Sequence, residues 1–208
     1  MSFDSRASLC PPAKPLLFII SGLSGVGKDS VLAALKSDGF PAHIGITATT
    51  RAKRPGEKDG VDYYFVSPEK FREMKDQDRL LENATVYNHS YGIPKEPIRQ
   101  ALKKGQDVIV RIDVQGAATI RKKIPQAVMI FMVTSDLAEL ERRLRKRKTE
   151  TEEQLELRLK TARTELEKLA IFDYIVVNRE GEIEKTVADI KAIIAAEKCR
   201  VTPREIEL

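Results

Sequence analysis

Gly22-Leu23-Ser24-Gly25-Val26-Gly27-Lys28 stands between an apolar run, Leu16-Leu17-Phe18-Ile19-Ile20, and a stretch where Val31, Leu32 and Leu35 recur at helical spacing. An unbroken apolar run of that length reads as a strand buried on both faces, and Asp38-Gly39 supplies the stop for the helix. Strand, glycine-rich turn and helix in that order are the setting in which this spacing of glycines and lysine builds a phosphate loop. The glycines allow backbone angles that turn successive N–H groups inward, and the helix N-terminus adds partial positive charge. Lys28 is placed to reach the outer phosphates. The opening of the chain therefore predicts a polyphosphate site over Gly22 to Ser30.

The eighth position of that pattern is normally Ser or Thr, whose hydroxyl binds Mg²⁺. Here it is Asp29, with Ser30 one place later. A carboxylate is a hard ligand that Mg²⁺ accepts, but unneutralised it repels the neighbouring phosphates. Ser30 is the better candidate for the hydroxyl role, and Asp29 also suits the first turn of a helix as an anion. Asp113 ends the apolar strand Val108 to Ile112, a place where phosphate-loop proteins hold the metal, often through water. Ser30 and Asp113 are thus the candidate Mg²⁺ contacts.

The rest of the 208 residues continues as alternating elements. Strand candidates at Tyr63 to Val66 and Leu80 to Tyr87 flank Ser67-Pro68-Glu69, which has the chemistry of a helix start. Helices are predicted near Ile98 to Lys104 and Ala117 to Lys123, strands at Val108 to Ile112, Ala127 to Val133 and Tyr174 to Val177. A long charged helical region runs from Leu137 to Ala170, and Ile183, Val187, Ile190 and Ile194 define one face of a last helix. Parallel β/α winding follows. The chain is expected to be one α/β domain over 15–198, with a flexible arm at 1–14 and a tail at 199–208.

Composition excludes several classes. With 42% hydrophobic and 32% charged residues, the chain is neither collagen-like nor wholly disordered. The longest apolar run is far too short to cross a bilayer, and no secretory signal pattern opens the sequence, so a cytoplasmic protein is expected. Cys10, Cys199, His43 and His89 are too few and too scattered for a structural zinc site. The net charge of +5 comes from Arg142, Arg143, Arg145, Lys146, Arg147 and Lys148; without them the basic residues no longer outnumber the 31 acidic ones. So local a cluster favours a concentrated anionic ligand over nucleic acid or a membrane surface, although the same run suits a solvated helix face.

Further segments share one pattern. Thr49-Thr50-Arg51 with Arg54-Pro55-Gly56-Glu57, Asp59-Gly60 with Asp62-Tyr63, Glu82-Asn83-Ala84 with Tyr91-Gly92, and Ile112-Asp113-Val114-Gln115-Gly116 follow the loop in order. Together they resemble the guanylate kinases, from about Leu16 to Lys198. The resemblance implies a P-loop NTPase three-layer core with a parallel five-stranded sheet (15–46, 98–136 and 171–198), an inserted mixed α/β monophosphate-binding subdomain (47–97), and a helical lid (137–170). It implies Mg²⁺-dependent transfer of the ATP γ-phosphoryl group to GMP or dGMP. Arg51, Arg54, Tyr63 and Tyr91 match positions on the monophosphate, Thr47 and Glu82 positions at the guanine, with Asp113 beside the acceptor. Lys28, Arg143, Arg147 and Arg158 match the catalytic cations on the transferring phosphate, and Asn178 a position near the adenine.

The chemistry of these residue types agrees. Paired guanidiniums fix a phosphate dianion in position and angle, and an ionised carboxylate accepts both donors on the guanine edge that adenine lacks. Tyr63 and Tyr64 alternate, and the pattern leaves open which of them packs inward. The chain departs from the family at Asp29, at Ile93, where Ser or Thr usually follows Tyr-Gly beside the base, and at Arg111, where an acid is frequent. Losing one neutral hydrogen bond at Ile93 is worth about 0.5–1.5 kcal/mol, so guanine preference is expected to weaken but persist. Two other readings were open: a ribose bisphosphate phosphokinase, on the strength of Gly27-Lys28-Asp29-Ser30, and a non-catalytic guanylate-kinase-like module that binds phosphorylated proteins. The arginine and tyrosine set argues against the first, and the intact Lys28 against the second.

Overall fold

A computed structural model describes residues 13–86, 88–146 and 152–208. In chain order it contains β1 (Leu17–Gly22), α1 (Lys28–Ser37), β2 (Ala42–Ile44), β3 (Ala48–Thr49), β4 (Tyr64–Phe65), α2 (Pro68–Asp76), β5 (Leu80–Val86) and β6 (His89–Pro94). The second half adds α3 (Lys95–Lys103), β7 (Asp107–Arg111), α4 (Val114–Lys123), β8 (Val128–Val133), α5 (Leu137–Lys146), α6 (Glu152–Leu166), β9 (Tyr174–Val177) and α7 (Ile183–Lys198).

Five parallel strands form the central sheet in the order β2-β7-β1-β8-β9. The two-residue period of a strand divides β1 between two cores. Leu17 and Ile19 face the same side as Val108, Val110 and Met129, where Ile98 of α3 and Ala117 and Ile120 of α4 cover them. Phe18 and Ile20 face the other side with Val128 and Ile130, beneath Leu35 of α1, Leu140 and Leu144 of α5 and Ile190 of α7. The result is the expected three-layer α/β/α core. Burying each of these large side chains is worth about 1.5–3 kcal/mol, which is why β1 and β8 carry no charge.

A second sheet, β4-β3-β6-β5, is mixed: β3 and β4 run parallel, while β6 is antiparallel to both β3 and β5. Between its strands, α2 starts where the sequence places it, with Ser67 Oγ accepting from the Lys70 amide at 3.1 Å and Pro68 in the first turn. This sheet is anchored to the core where Lys123 of α4 donates to the Leu81 carbonyl at 3.2 Å.

In the charged region after Leu137, α5 and α6 are described on either side of residues 147–151, and a short 3-10 turn follows at Leu169–Ile171. The tail 199–208 has no helix or strand yet lies back on the domain. Arg204 donates to both oxygens of the buried Glu197, at 2.9 and 3.0 Å, and Ile206 packs against the cores.

Candidate active site

The loop between β1 and α1 has the backbone its glycines permit. Gly22 has φ of +138°, and a methyl group there would stand 2.2 Å from the Met132 carbonyl oxygen, so β1 and β8 could not stay paired. Gly27 caps α1 in the left-handed region with φ of +97°. The carbonyl of Val26, between the glycines, accepts from Asn178 Nδ2 at 2.7 Å and from Arg143 Nη1 at 2.9 Å. Asn178 Oδ1 in turn accepts from Thr186 of α7 at 3.0 Å, and Arg143 donates to the Asn178 carbonyl at 2.7 Å and pairs with Glu139. Burial would raise the Glu139 pKa, but the hydroxyl and amide of Ser135, the Arg143 charge and the Glu180 amide bring it down to about 2. Arg143 and Asn178 therefore brace the loop through its backbone. Thr186 and Glu139, unremarked in the sequence, complete that brace. Arg147 lies outside the described residues.

Lys28 Nζ donates to the carbonyls of Gly22 at 2.7 Å and Leu23 at 3.0 Å, which folds its amine back over the loop. From α6, Arg158 Nη1 donates to Ser24 Oγ at 2.8 Å. Glu165, also on α6, is partly buried; burial raises its pKa and the nearby Lys28 opposes that rise. Among the described residues its Oε2 is buried without a hydrogen-bond partner. Nothing in the motif pattern marks Glu165, because a glutamate on a charged helix has no signature of its own.

On the acceptor side, Arg51 Nη2 bonds Glu57 Oε1 at 2.6 Å, and its guanidinium lies 5.3 Å from the Tyr63 ring centroid. Tyr63 and Tyr91 meet edge to face with centroids 6.3 Å apart. Tyr63 is thus the inward member of the Tyr63-Tyr64 pair. Arg54 is exposed, and its amide donates to Glu57 Oε2 at 2.8 Å, which fixes the turn carrying both arginines. Arg111 Nη2 donates to the Tyr63 hydroxyl at 3.0 Å and Nη1 pairs with Asp29. The carboxylate at the eighth loop position is therefore neutralised, and by the other residue that departs from the family pattern.

Glu82 on β5 is 4% exposed and packs on Gly116 in the first turn of α4. Burial, then the charge of Asp113, raises its pKa to about 7, while Lys123 opposes the rise. Asp113 caps α4, accepting from the Gly116 amide at 2.8 Å. Thr47 is partly buried where the second sheet begins, its carbonyl accepting from Tyr64 at 2.9 Å. Ile93 is 1% exposed in the core cluster containing Leu81 and Ile98. Ser30 is exposed on the first turn of α1.

Among the described residues no group of three or more His, Cys, Asp or Glu could cage a metal. Mg²⁺ binds through one or two carboxylates or hydroxyls, several waters and substrate phosphates, so the oxygen donors Ser30, Asp113 and Asp29 fit it without a cage.

Comparison with known proteins identifies the family. The guanylate kinase family model matches residues 14–197. Guanylate kinase 2, chloroplastic/mitochondrial, of Oryza sativa subsp. japonica is 46% identical over 205 residues, covering 98% of this chain and 72% of the rice protein. The guanylate kinase of Caldanaerobacter subterraneus subsp. tengcongensis is 44% identical over 186 residues, covering 89% of each chain. The crystal structure of guanylate kinase from Anaplasma phagocytophilum superposes with a TM-score of 0.72 at 30% identity, covering 91% of this chain and 88% of that one. The family model and these relatives each span most of the chain, and the chain belongs to the guanylate kinase family, the ATP:GMP phosphotransferases.

Proposed function

We propose that the chain carries out its family's reaction, moving the γ-phosphoryl group of ATP to GMP or dGMP, with the donor on the loop Gly22 to Ser30 and the acceptor on the second sheet. The observation that carries this reading is the unbroken run of contacts from Asp29, beside Lys28, through Arg111 and Tyr63 to Arg51. It turns the arginine at the head of the monophosphate motif toward the cleft that holds the phosphate loop. Two anionic nucleotides laid end to end would lie along that wall.

Phosphoryl transfer asks the protein mainly for alignment and for positive charge where negative charge spreads over the equatorial oxygens. Backbone N–H groups of the loop and Lys28 hold the donor phosphates. Arg51 and Arg54, with Tyr63 and Tyr91, orient the acceptor dianion; Glu82 accepts the guanine donors from the Thr47 side of the sheet. Arg158, on the helix that reaches Ser24, brings a cation to the donor side as the lid helices close, with Arg147 assigned the same task from the sequence. Arg143 and Asn178 act through the loop backbone, with Asn178 also proposed at the adenine end. Bound with ATP, Mg²⁺ supplies charge neutralisation and geometry at the phosphates, with Ser30 and Asp113 as its proposed protein contacts. The same reading assigns the enzyme to purine nucleotide metabolism and, following the expectation from the sequence, to the cytoplasm.

An ADP-release assay with Mg-ATP against GMP, dGMP, AMP, CMP, UMP and ribose bisphosphate tests the assignment. Release with GMP and dGMP alone is expected. Preference for AMP or for the sugar bisphosphate overturns it, and absence of release with every acceptor points to a binding module.

A further inference from the structure

Asp29 and Arg111 each break the pattern expected at their own position, and they break it together. Asp29 is on the first turn of α1, immediately after the loop lysine; Arg111 is the last residue of β7, paired in the sheet with Ile20 of β1. Their side chains form an ion pair across the mouth of the loop. The two partners are unequal. The Asp29 side chain is 76% exposed, whereas that of Arg111 is 21% exposed and also held by the Tyr63 hydroxyl. Two guanidiniums, those of Arg51 and Arg111, thus stand within 6 Å of one ring centroid, at 5.3 and 5.6 Å.

We propose that Arg111 is a third arginine ligand of the acceptor phosphate in this enzyme, and that Asp29 holds its guanidinium before the monophosphate binds and exchanges it for that phosphate. The exchange follows from the asymmetry. An exposed carboxylate that lets go is rehydrated at once, so it binds a guanidinium weakly. The half-enclosed guanidinium gains charge-assisted, bidentate bonds to a dianion in return. Released, Asp29 is beside Ser30, where a hard oxygen is useful to the donor's metal ion. The inference rests on the reading that the Arg51–Tyr63 wall receives the acceptor phosphate.

The test is calorimetric binding of GMP, guanosine and ATP, without divalent metal, to Arg51→Ala, Arg111→Gln, Arg111→Lys, Asp29→Asn and the Asp29→Asn/Arg111→Gln double variant. Arg111→Gln is expected to weaken GMP at least tenfold, to leave guanosine and ATP within twofold, and Arg111→Lys to recover part of the loss. Asp29→Asn is expected to tighten GMP several-fold by removing the competitor, and to do nothing once Arg111 is Gln. GMP affinity within twofold of the wild type in Arg111→Gln, or a loss in Asp29→Asn equal to that in Arg111→Gln, overturns the proposal, since the pair is then only scaffolding. A loss of ATP instead of GMP also overturns it. If Arg51→Ala fails to weaken GMP, the acceptor wall itself has been misread; a loss there with none at Arg111 sinks this inference alone. Thermal melts accompany each variant, and Arg111→Lys decides the matter should Arg111→Gln melt early.

Discussion

A methyl group on Gly116 would stand 2.5 Å from Glu82 Oε1, so the helix start after Asp113 is shaped around the carboxylate assigned to the guanine. The atom in the way is the tip of a side chain and can move, at little cost to the fold. Gly116→Ala should therefore raise the KM for GMP about tenfold, on the scale of one displaced charged hydrogen bond, while the KM for ATP stays within twofold. Steady-state kinetics with each substrate varied in turn checks it, and a melt separates the effect from unfolding.

The pKa of Glu82 sets a second expectation. With a value near 7, the carboxylate is progressively protonated as pH falls below about 7, and a protonated carboxyl cannot accept from both guanine donors. The kcat/KM for GMP should fall about tenfold per pH unit on that acid limb, because this ratio reports the free enzyme. The stability effect has the opposite sign. Folding favours the neutral form, so the penalty from Glu82 grows between the ordinary 4.5 and 7 and is complete above 7, at about 3 kcal/mol. Glu82→Gln should thus melt about 5–10 °C higher at pH 8 while losing GMP activity.

Much of this site was legible in the sequence because its parts are local. Gly22 to Lys28 is a contiguous segment with left-handed backbone at its three glycines, and Arg51, Arg54 and Glu57 form one turn. Core strands were legible as unbroken apolar runs, with ends shifted by a residue or two. What pattern could not supply were contacts between segments far apart in the chain. Arg143 to Val26, Asn178 to Val26 and Arg111 to Asp29 each join residues from different segments, and neither partner advertises the other. Asp29 looked like an unneutralised charge beside phosphates until the sheet brought Arg111 to it. In the tail, Arg204 reaches Glu197 because the chain turns back after α7, a turn that no pattern in 199–208 announces.

Glu139 offers a prediction on the brace behind the phosphate loop. Its folded pKa near 2 is below the unfolded value, so its stabilisation is fully present above about pH 4.5 and is lost as pH falls toward 2. Glu139→Gln should cost about 3 kcal/mol at pH 7 and almost nothing at pH 2. With Arg143 released from its partner, the Val26 carbonyl loses a donor, and the KM for ATP should rise more than that for GMP. Denaturant titrations at both pH values, with KM measured at pH 7.5, check both parts.

The tail gives a purely structural counterpart. Glu197 is 2% exposed, accepts from the Tyr174 hydroxyl at 2.7 Å, and takes both nitrogens of Arg204. Removing one partner of such a buried pair strands the other, at about 3–5 kcal/mol, whereas replacing both with apolar side chains of similar volume is often neutral. Arg204→Ala should therefore lower the melting temperature by about 6–15 °C, and Glu197→Leu/Arg204→Met should recover most of that loss. Kinetics at 25 °C should be unchanged in both, since among the described residues Glu197 and Arg204 contact Asp173, Tyr174 and Arg200, away from the phosphate loop. Equal destabilisation of the single and double variants would show that the tail is held by Ile206 and its apolar neighbours, and that the ion pair only occupies the space between them.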